Sequence, residues 1–146
     1  SPAEMQRYLS KISGPLLDRI DIHIEVNPVP FEKLTETRKA ESSSEIRKRV
    51  TQARQIQSQR FETFENLHYN AQMGSKYIRQ FCVLDDTSLQ LLKTAMERLN
   101  LSARAYDRIL KVARTIADLE AAENIKPNHI AEAIQYRSLD RDGWLG

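Results

Sequence analysis

Little in this 146-residue chain is suited to crosslinking, metal binding or crossing a membrane. There is one cysteine, Cys82. It excludes an intrachain disulfide and fits a reducing compartment, so a cytoplasmic location is expected. His23, His68, His129 and Cys82 are scattered without ligand spacing. That argues against a metal site and reads the histidines as surface or core-edge residues. The four glycines form no phosphate-loop pattern G-x-x-x-x-G-K-[ST], so nothing here cradles a nucleotide triphosphate by itself. Gly-x-Ser-x-Gly, His-Glu-x-x-His and Ser/His/Asp groupings are missing too. No apolar run approaches the ~20 residues of a membrane span and no signal-peptide pattern is present, so no membrane partner is expected. A net charge of +2 does not by itself point to nucleic acid or an anionic membrane.

What is present suits a folded chain. Hydrophobic residues make up 40% and charged residues 29%, a balance that favours a soluble globular class over disorder. The length suffices for a real core. The chain begins Ser-Pro-Ala-Glu rather than at a methionine, and it is expected to be a piece of something longer.

Four of the five prolines, Pro2, Pro15, Pro28 and Pro30, fall in the first 30 residues and leave little room for long helices there. Pro2 can start a short helix over Ala3–Ile12 with Met5, Tyr8, Leu9 and Ile12 on one side, broken by Gly14-Pro15. Ile20-Asp-Ile-His-Ile-Glu-Val26 alternates apolar and polar residues and reads as a strand. It is the one convincing strand, and a lone strand has nothing to pair with. Either its sheet partners lie outside this chain or the segment is not a strand. Asn27 to Glu41 reads as a linker. Residues 1–42 are therefore expected to be mostly extended or poorly ordered.

After residue 42 the reading is helical throughout. Ser42 and Glu45 form a capping box for a helix running to Phe61 or Phe64, with Ile46, Val50, Ala53, Ile56 and Phe61 as its apolar side. A loop at 66–74 leads to a short helix Ser75–Phe81 that buries Tyr77, Ile78 and Phe81. Asp85 or Asp86 caps the next helix, whose stripe is Leu89, Leu92, Ala95, Met96 and Leu99. The strongest helix covers 102–122. Ser102 caps it, and Tyr106, Ile109, Leu110, Ala113, Ile116 and Ala117 recur at three- and four-residue spacing. Pro127 opens a last helix with Ile130, Ala133 and Ile134 inward. Residues 140–146 form a tail in which Trp144 has the chance to dock. The expected fold is all-α, a bundle of four to five helices over 43–139.

Three groups of cations are candidates for function. Arg47, Lys48 and Arg54 lie on the basic helix 44–64, where Glu45, Glu62 and Glu65 dilute them. They form either a solvated face or a nucleic-acid contact. Arg104, Arg108 and Lys111 fall at i, i+4 and i+7 on the strongest helix. The macrodipole disfavours cations near a helix N-terminus, so acidic neighbours offset them or an anionic partner uses them. On that face Asp107 and Asp118 are the acids. Arg19 precedes the strand-like run. In the plain structural reading Arg19 pairs with Asp18 or Asp21, and Arg104 with Asp107 or Asp85.

At these residues the chain resembles a known family. Ser13-Gly-Pro-Leu-Leu-Asp-Arg-Ile-Asp-Ile-His-Ile-Glu-Val26 is similar to the end of the AAA+ core in Mg-chelatase-related ATPases of the ComM/YifB type. Leu101-Ser-Ala-Arg-Ala-Tyr-Asp-Arg-Ile-Leu-Lys-Val-Ala-Arg-Thr-Ile-Ala-Asp-Leu-Glu120 is similar to the lid helix of that family. Ile130-Ala-Glu-Ala-Ile-Gln-Tyr-Arg137 is similar to its last helix. The resemblance implies an AAA+ lid domain at 43–139 preceded, over 1–42, by the last part of the core and a linker. It implies that Arg19 is an arginine finger acting in trans and Arg104 the sensor 2 arginine. It further implies ATP and Mg²⁺ as cofactors of the full-length protein, a homo-hexameric ring, and DNA as the partner in branch-migration-type remodelling. The phosphate loop and Walker B segment of such an ATPase are expected upstream of Ser1. This chain alone is accordingly expected to be inactive, neither binding ATP tightly nor hydrolysing it.

Overall fold

A computed structural model describes residues 2–34 and 40–137. Its elements are α1 (Pro2–Leu9), α2 (Gly14–Leu17), α3 (Phe31–Leu34), α4 (Ser43–Arg60), a 3₁₀ turn at Asn70–Gln72, α5 (Ser75–Phe81), α6 (Asp86–Arg98), α7 (Ala103–Leu119) and α8 (Pro127–Gln135). There is no strand among the described residues. The all-α expectation holds, with five helices, α4 to α8, over residues 43–135. Trp144 and the tail lie outside the described residues.

Helix ends follow local chemistry. The Ser42 amide donates to Glu45 Oε2 at 2.9 Å, and the Glu45 amide donates to Ser42 Oγ at 3.2 Å. This closes the anticipated capping box at the start of α4. The Ser88 amide donates to Asp85 Oδ1 at 2.7 Å, and the Ala105 amide to Ser102 Oγ at 3.2 Å. These side chains satisfy first-turn donors that the helix itself leaves unpaired. Two helices stop at residues in the left-handed region, Asn100 with φ 48° and Ala121 with φ 53°. In each case an amide reaches back to the last turn: Leu101 to the Met96 carbonyl at 3.0 Å, and Ala122 to that of Ala117 at 2.8 Å. Both are Schellman closures.

α7 is the centre of the bundle. Ala105, Ile109, Leu110, Ala113, Ile116 and Ala117 are buried on it. It packs against α8, α4, α5 and the 3₁₀ turn, while α6 lies on α8. Ala105, Ala113 and Ala117, with Ala133 of α8, keep side-chain volume low where helices approach. Phe61, Phe64, Tyr77 and Phe81 close one end edge to face, with ring centroids 5.4 Å apart for Phe61 and Phe81 and 5.2 Å for Phe64 and Tyr77. Such pairs add roughly 0.5–1.5 kcal/mol beyond their buried area.

Several expectations need correcting. α1 ends at Leu9, three residues before Ile12, and Tyr8 is exposed. Gly14-Pro15 opens a one-turn helix, because Ser13 Oγ accepts from the Leu16 amide at 3.3 Å and proline tolerates a first turn. Ile46, Val50, Leu89 and Tyr106 sit at stripe positions but are exposed; among the described residues no other element covers the first half of α4. Leu67, Asn70 and Met73, placed in a loop from their sequence, are buried. Two of the three histidines, His23 and His129, are buried as well.

The strand-like run is the largest departure. Residues 22–30 have no regular structure, and the alternation is inverted. His23 is 5% exposed, while Ile24 is 72% exposed. Among the described residues a backbone bond anchors the register, the His23 amide donating to the Tyr136 carbonyl at 2.7 Å. Ile22 and Ile24 instead form one wall of a groove of about 390 Å³ with Val112, Ile116, Leu119 and Tyr136.

Candidate functional site

The first turn of α7 presents Arg104 to solvent. No described residue pairs with it. The ions expected for it are engaged elsewhere: Ser75 Oγ donates to Asp107 Oδ2 at 3.2 Å, and Asp85 caps α6. The first turn of α7 contains no acidic residue. A cation near a helix N-terminus costs up to ~1 kcal/mol, and among the described residues no ion pair offsets it at Arg104.

The rest of that cationic row is not a solvated face. Arg108, one turn on, is ion-paired with Asp21, and Lys111 Nζ donates to the Ala71 carbonyl at 3.1 Å. Asp21 therefore belongs to Arg108 rather than to Arg19. Arg19 is exposed, and its guanidinium donates to the carbonyl of Pro15 at 2.6 Å, one turn back. Neither acid proposed for Arg19 is its partner. Arg137 at the end of α8 is 1% exposed. It donates to the carbonyls of Ile20 and, at 3.5 Å, Leu17, on either side of Arg19.

A second polar cluster went unrecognised in the sequence. By its spacing Asp118 belongs to the polar face of α7, yet it is 1% exposed. It accepts from both terminal nitrogens of Arg60, from Asn70 Nδ2 at 2.8 Å and from Arg114 Nε at 3.2 Å. Asn70 also donates from its amide to Gln57 Oε1 at 3.1 Å. Arg114 continues to the carbonyls of Ala122 at 2.7 Å and Glu123 at 2.9 Å, just beyond the end of α7. Burial lowers the Arg114 pKa from its ordinary value and the Asp118 charge opposes that fall. The cluster joins α4, the 3₁₀ turn and α7. Its one legible sign was the i, i+4 spacing of Arg114 and Asp118.

On α4, Arg47, Lys48 and Arg54 are exposed. Arg49 pairs with Glu41, and the Arg54 guanidinium lies 4.2 Å from the Tyr69 ring centroid. Among the described residues no group of three or more His, Cys, Asp or Glu side chains is placed to hold a metal, and no helix is long and apolar enough to cross a membrane.

This arrangement of a helical unit behind a short proline-rich lead matches known proteins in two pieces. Residues 40–137 match the family described as magnesium chelatase, subunit ChlI C-terminal. Residues 1–34 match magnesium chelatase, subunit ChlI. The chain belongs to the magnesium chelatase ChlI C-terminal family. It is 43% identical over 142 residues to competence protein ComM of Haemophilus influenzae. It is 39% identical to YifB of Salmonella typhimurium and 40% identical to YifB of Escherichia coli over the same length. Each match covers 97% of this chain and 27% of the relative, so the chain spans about a quarter of the relatives' length. The membership makes the chain a Mg-chelatase-related protein of the ComM/YifB type, and the α4–α8 unit accords with an AAA+ lid domain. The two family matches meet between residues 34 and 40, within the stretch read as a linker.

Proposed function

We propose that this chain is the nucleotide-responsive lid of a ring-forming AAA+ ATPase that remodels DNA. The observation that carries the reading is Arg104, an exposed guanidinium without a partner among the described residues, at a helix end that disfavours it. Such a group suits an external anion. A planar, always-charged fork matches phosphate oxygens, and a cation held over a transferring phosphoryl group stabilises the charge that develops there. Arg104 would serve the ATP of its own subunit, as the sensor 2 arginine. Arg19, exposed in the turn after α2, would serve the ATP of the neighbouring subunit, as an arginine finger. ATP supplies the phosphoryl-transfer chemistry. Mg²⁺ would be held by the rest of the full-length protein, a cytoplasmic homo-hexamer. The 43% identity to a protein named for competence supports placing the chain in that group, and DNA as the ring's substrate, through branch migration, is part of this proposal.

One observation favours a second use of the chain. The first ten residues of α4 and its lead-in, 41–50, are all exposed, and Arg47, Lys48 and Arg54 make no ion pair among the described residues. In this reading α4 contacts DNA phosphates directly. The test is on the full-length protein. Arg104→Ala is expected to lose ATP turnover, and Arg47→Ala to retain it. If α4 holds DNA, Arg47→Ala reduces the salt slope of DNA affinity by about one. Full ATP turnover by Arg104→Ala overturns the lid reading.

A further inference from the structure

The turn that carries Arg19 is strapped to the lid by groups distant in sequence. Arg137, buried at the end of α8, reaches back 120 positions to the Leu17 carbonyl and 117 to that of Ile20. Arg108 of α7 is ion-paired with Asp21, two residues after Arg19. The His23 amide bonds the Tyr136 carbonyl. Arg19 thus lies between tethers to α7 and α8 while its own side chain stays exposed, held among the described residues by the Pro15 carbonyl within the turn. Arg108 also stands one helical turn after Arg104 on the same helix, a rise of ~6 Å.

We infer that Arg108, Asp21 and Arg137 are positioning residues for Arg19, so that the posture of the lid sets where that guanidinium points. α7 is packed on most of its sides and moves as a rigid rod. A displacement of its first turn when Arg104 takes an anion passes through Arg108 to Asp21. Arg137 keeps the preceding turn from absorbing it. One subunit's nucleotide contact is thereby tied to the arginine it offers its neighbour. The inference rests on the proposed finger role of Arg19, and it adds the device that aims the finger. Misplacing a catalytic group by about 1 Å costs on the order of 10²-fold in rate, so loosening the straps has a large effect even with Arg19 intact.

The experiment uses the full-length protein with Arg108→Gln and Asp21→Asn, half-exposed sites whose loss leaves the core untouched. Arg137→Gln is a third variant, with its folding checked. Three readouts are taken: amide hydrogen exchange over residues 18–23, kcat and KM for ATP, and kcat of each variant combined with Arg19→Ala. Expected are faster exchange at 18–23 in the absence of nucleotide, a fall in kcat on the order of 10²-fold with KM unchanged, and no further fall when Arg19 is already alanine. Arg108→Lys should recover part of the loss. Unchanged kcat in Asp21→Asn and Arg108→Gln, or losses that multiply with Arg19→Ala, overturn the strap while leaving the finger in place. An Arg19→Ala protein with full kcat removes the finger role and the inference with it.

Discussion

Arg60 and Asp118, 58 positions apart, meet as a two-pronged ion pair beneath the surface of the bundle. Arg60 is the last residue of α4, and Asp118 lies one residue before the end of α7. The pair ties the C-terminal end of α4 to that of α7.

Removing one partner of such a pair leaves charges buried without a counter-ion, which costs about 3–5 kcal/mol. Asp118→Ala strands both Arg60 and Arg114. Its unfolding free energy in urea titration should fall by that amount, the midpoint dropping at an unchanged m-value. Glu41→Gln, which breaks the exposed pair with Arg49, should leave the midpoint where it is. Equal shifts in the two variants would contradict the role given to the buried cluster.

Ala121 takes φ 53° at the end of α7, a conformation that glycine adopts without steric cost. Ala121→Gly should therefore stabilise the domain, by about 1 kcal/mol. Thermal unfolding compared with the parent checks it, and a lower melting temperature would refute it.

Cys82 is buried, and burial pushes its thiol up to about 12. The thiolate is the nucleophile, so the native protein should react with a thiol reagent only as fast as it opens. Rapid modification at pH 8 in the folded state would show that the site is more accessible than this. Unfolding in urea should restore ordinary reactivity.

His129 caps α8 through its ring. Its Nδ1 accepts from the Lys126 amide at 3.0 Å, so Nε2 carries the proton shared with Glu120 at 2.8 Å. That hydrogen bond holds the Glu120 carboxyl below its ordinary 4.5. A folded pKa lower than the unfolded one gives a contribution present above the unfolded value and lost as pH falls through the folded one. The cap should weaken on acidification below about pH 4.5. Glu120→Gln should flatten that part of the stability–pH curve and leave the rest unchanged. A curve identical to the parent's would exclude Glu120 as a contributor.

Arg104→Ala removes an exposed cation from a helix N-terminus where nothing offsets it. The variant should melt no lower than the parent even as ATP turnover in the full-length protein is lost. That separation of stability from activity is what a binding residue predicts. A cooperative loss of fold would reassign Arg104 to structure.

Local chemistry carried much of the fold. Ser42 with Glu45, Asp85, Ser102 and Pro127 mark helix starts because their side chains, or the ring of proline, act on the nearest turn and need no distant partner. The stripe of α7 was legible for the same reason, since a 3.6-residue period is a property of one helix. Arg104 could be singled out as a cation at a disfavoured position.

Periodicity says which side of a helix is apolar. Whether another element covers that side depends on packing, and so Ile46, Val50, Leu89 and Tyr106 sit in stripes yet remain exposed. The run at 20–26 alternates as a strand does, but a strand exists only through hydrogen bonds to a neighbour. Here His23 lies inward with its amide bonded to the Tyr136 carbonyl, and Ile20, Ile22 and Ile24 lie outward.

By itself, then, the sequence determined an all-α domain, its helix starts, its central helix and the row of candidate cations. Tertiary structure decided which charges were already taken. Arg108 and Asp21, Arg60 and Asp118, and Arg137 and the Leu17–Ile20 turn are joined across 58 to 120 positions. Coulomb attraction and hydrogen bonding act over a few ångströms of space and carry no trace of their partners in local spacing. Only folding brings the two halves of each pair within reach, and by pairing its neighbours it leaves Arg104 the cation of its row without a described partner.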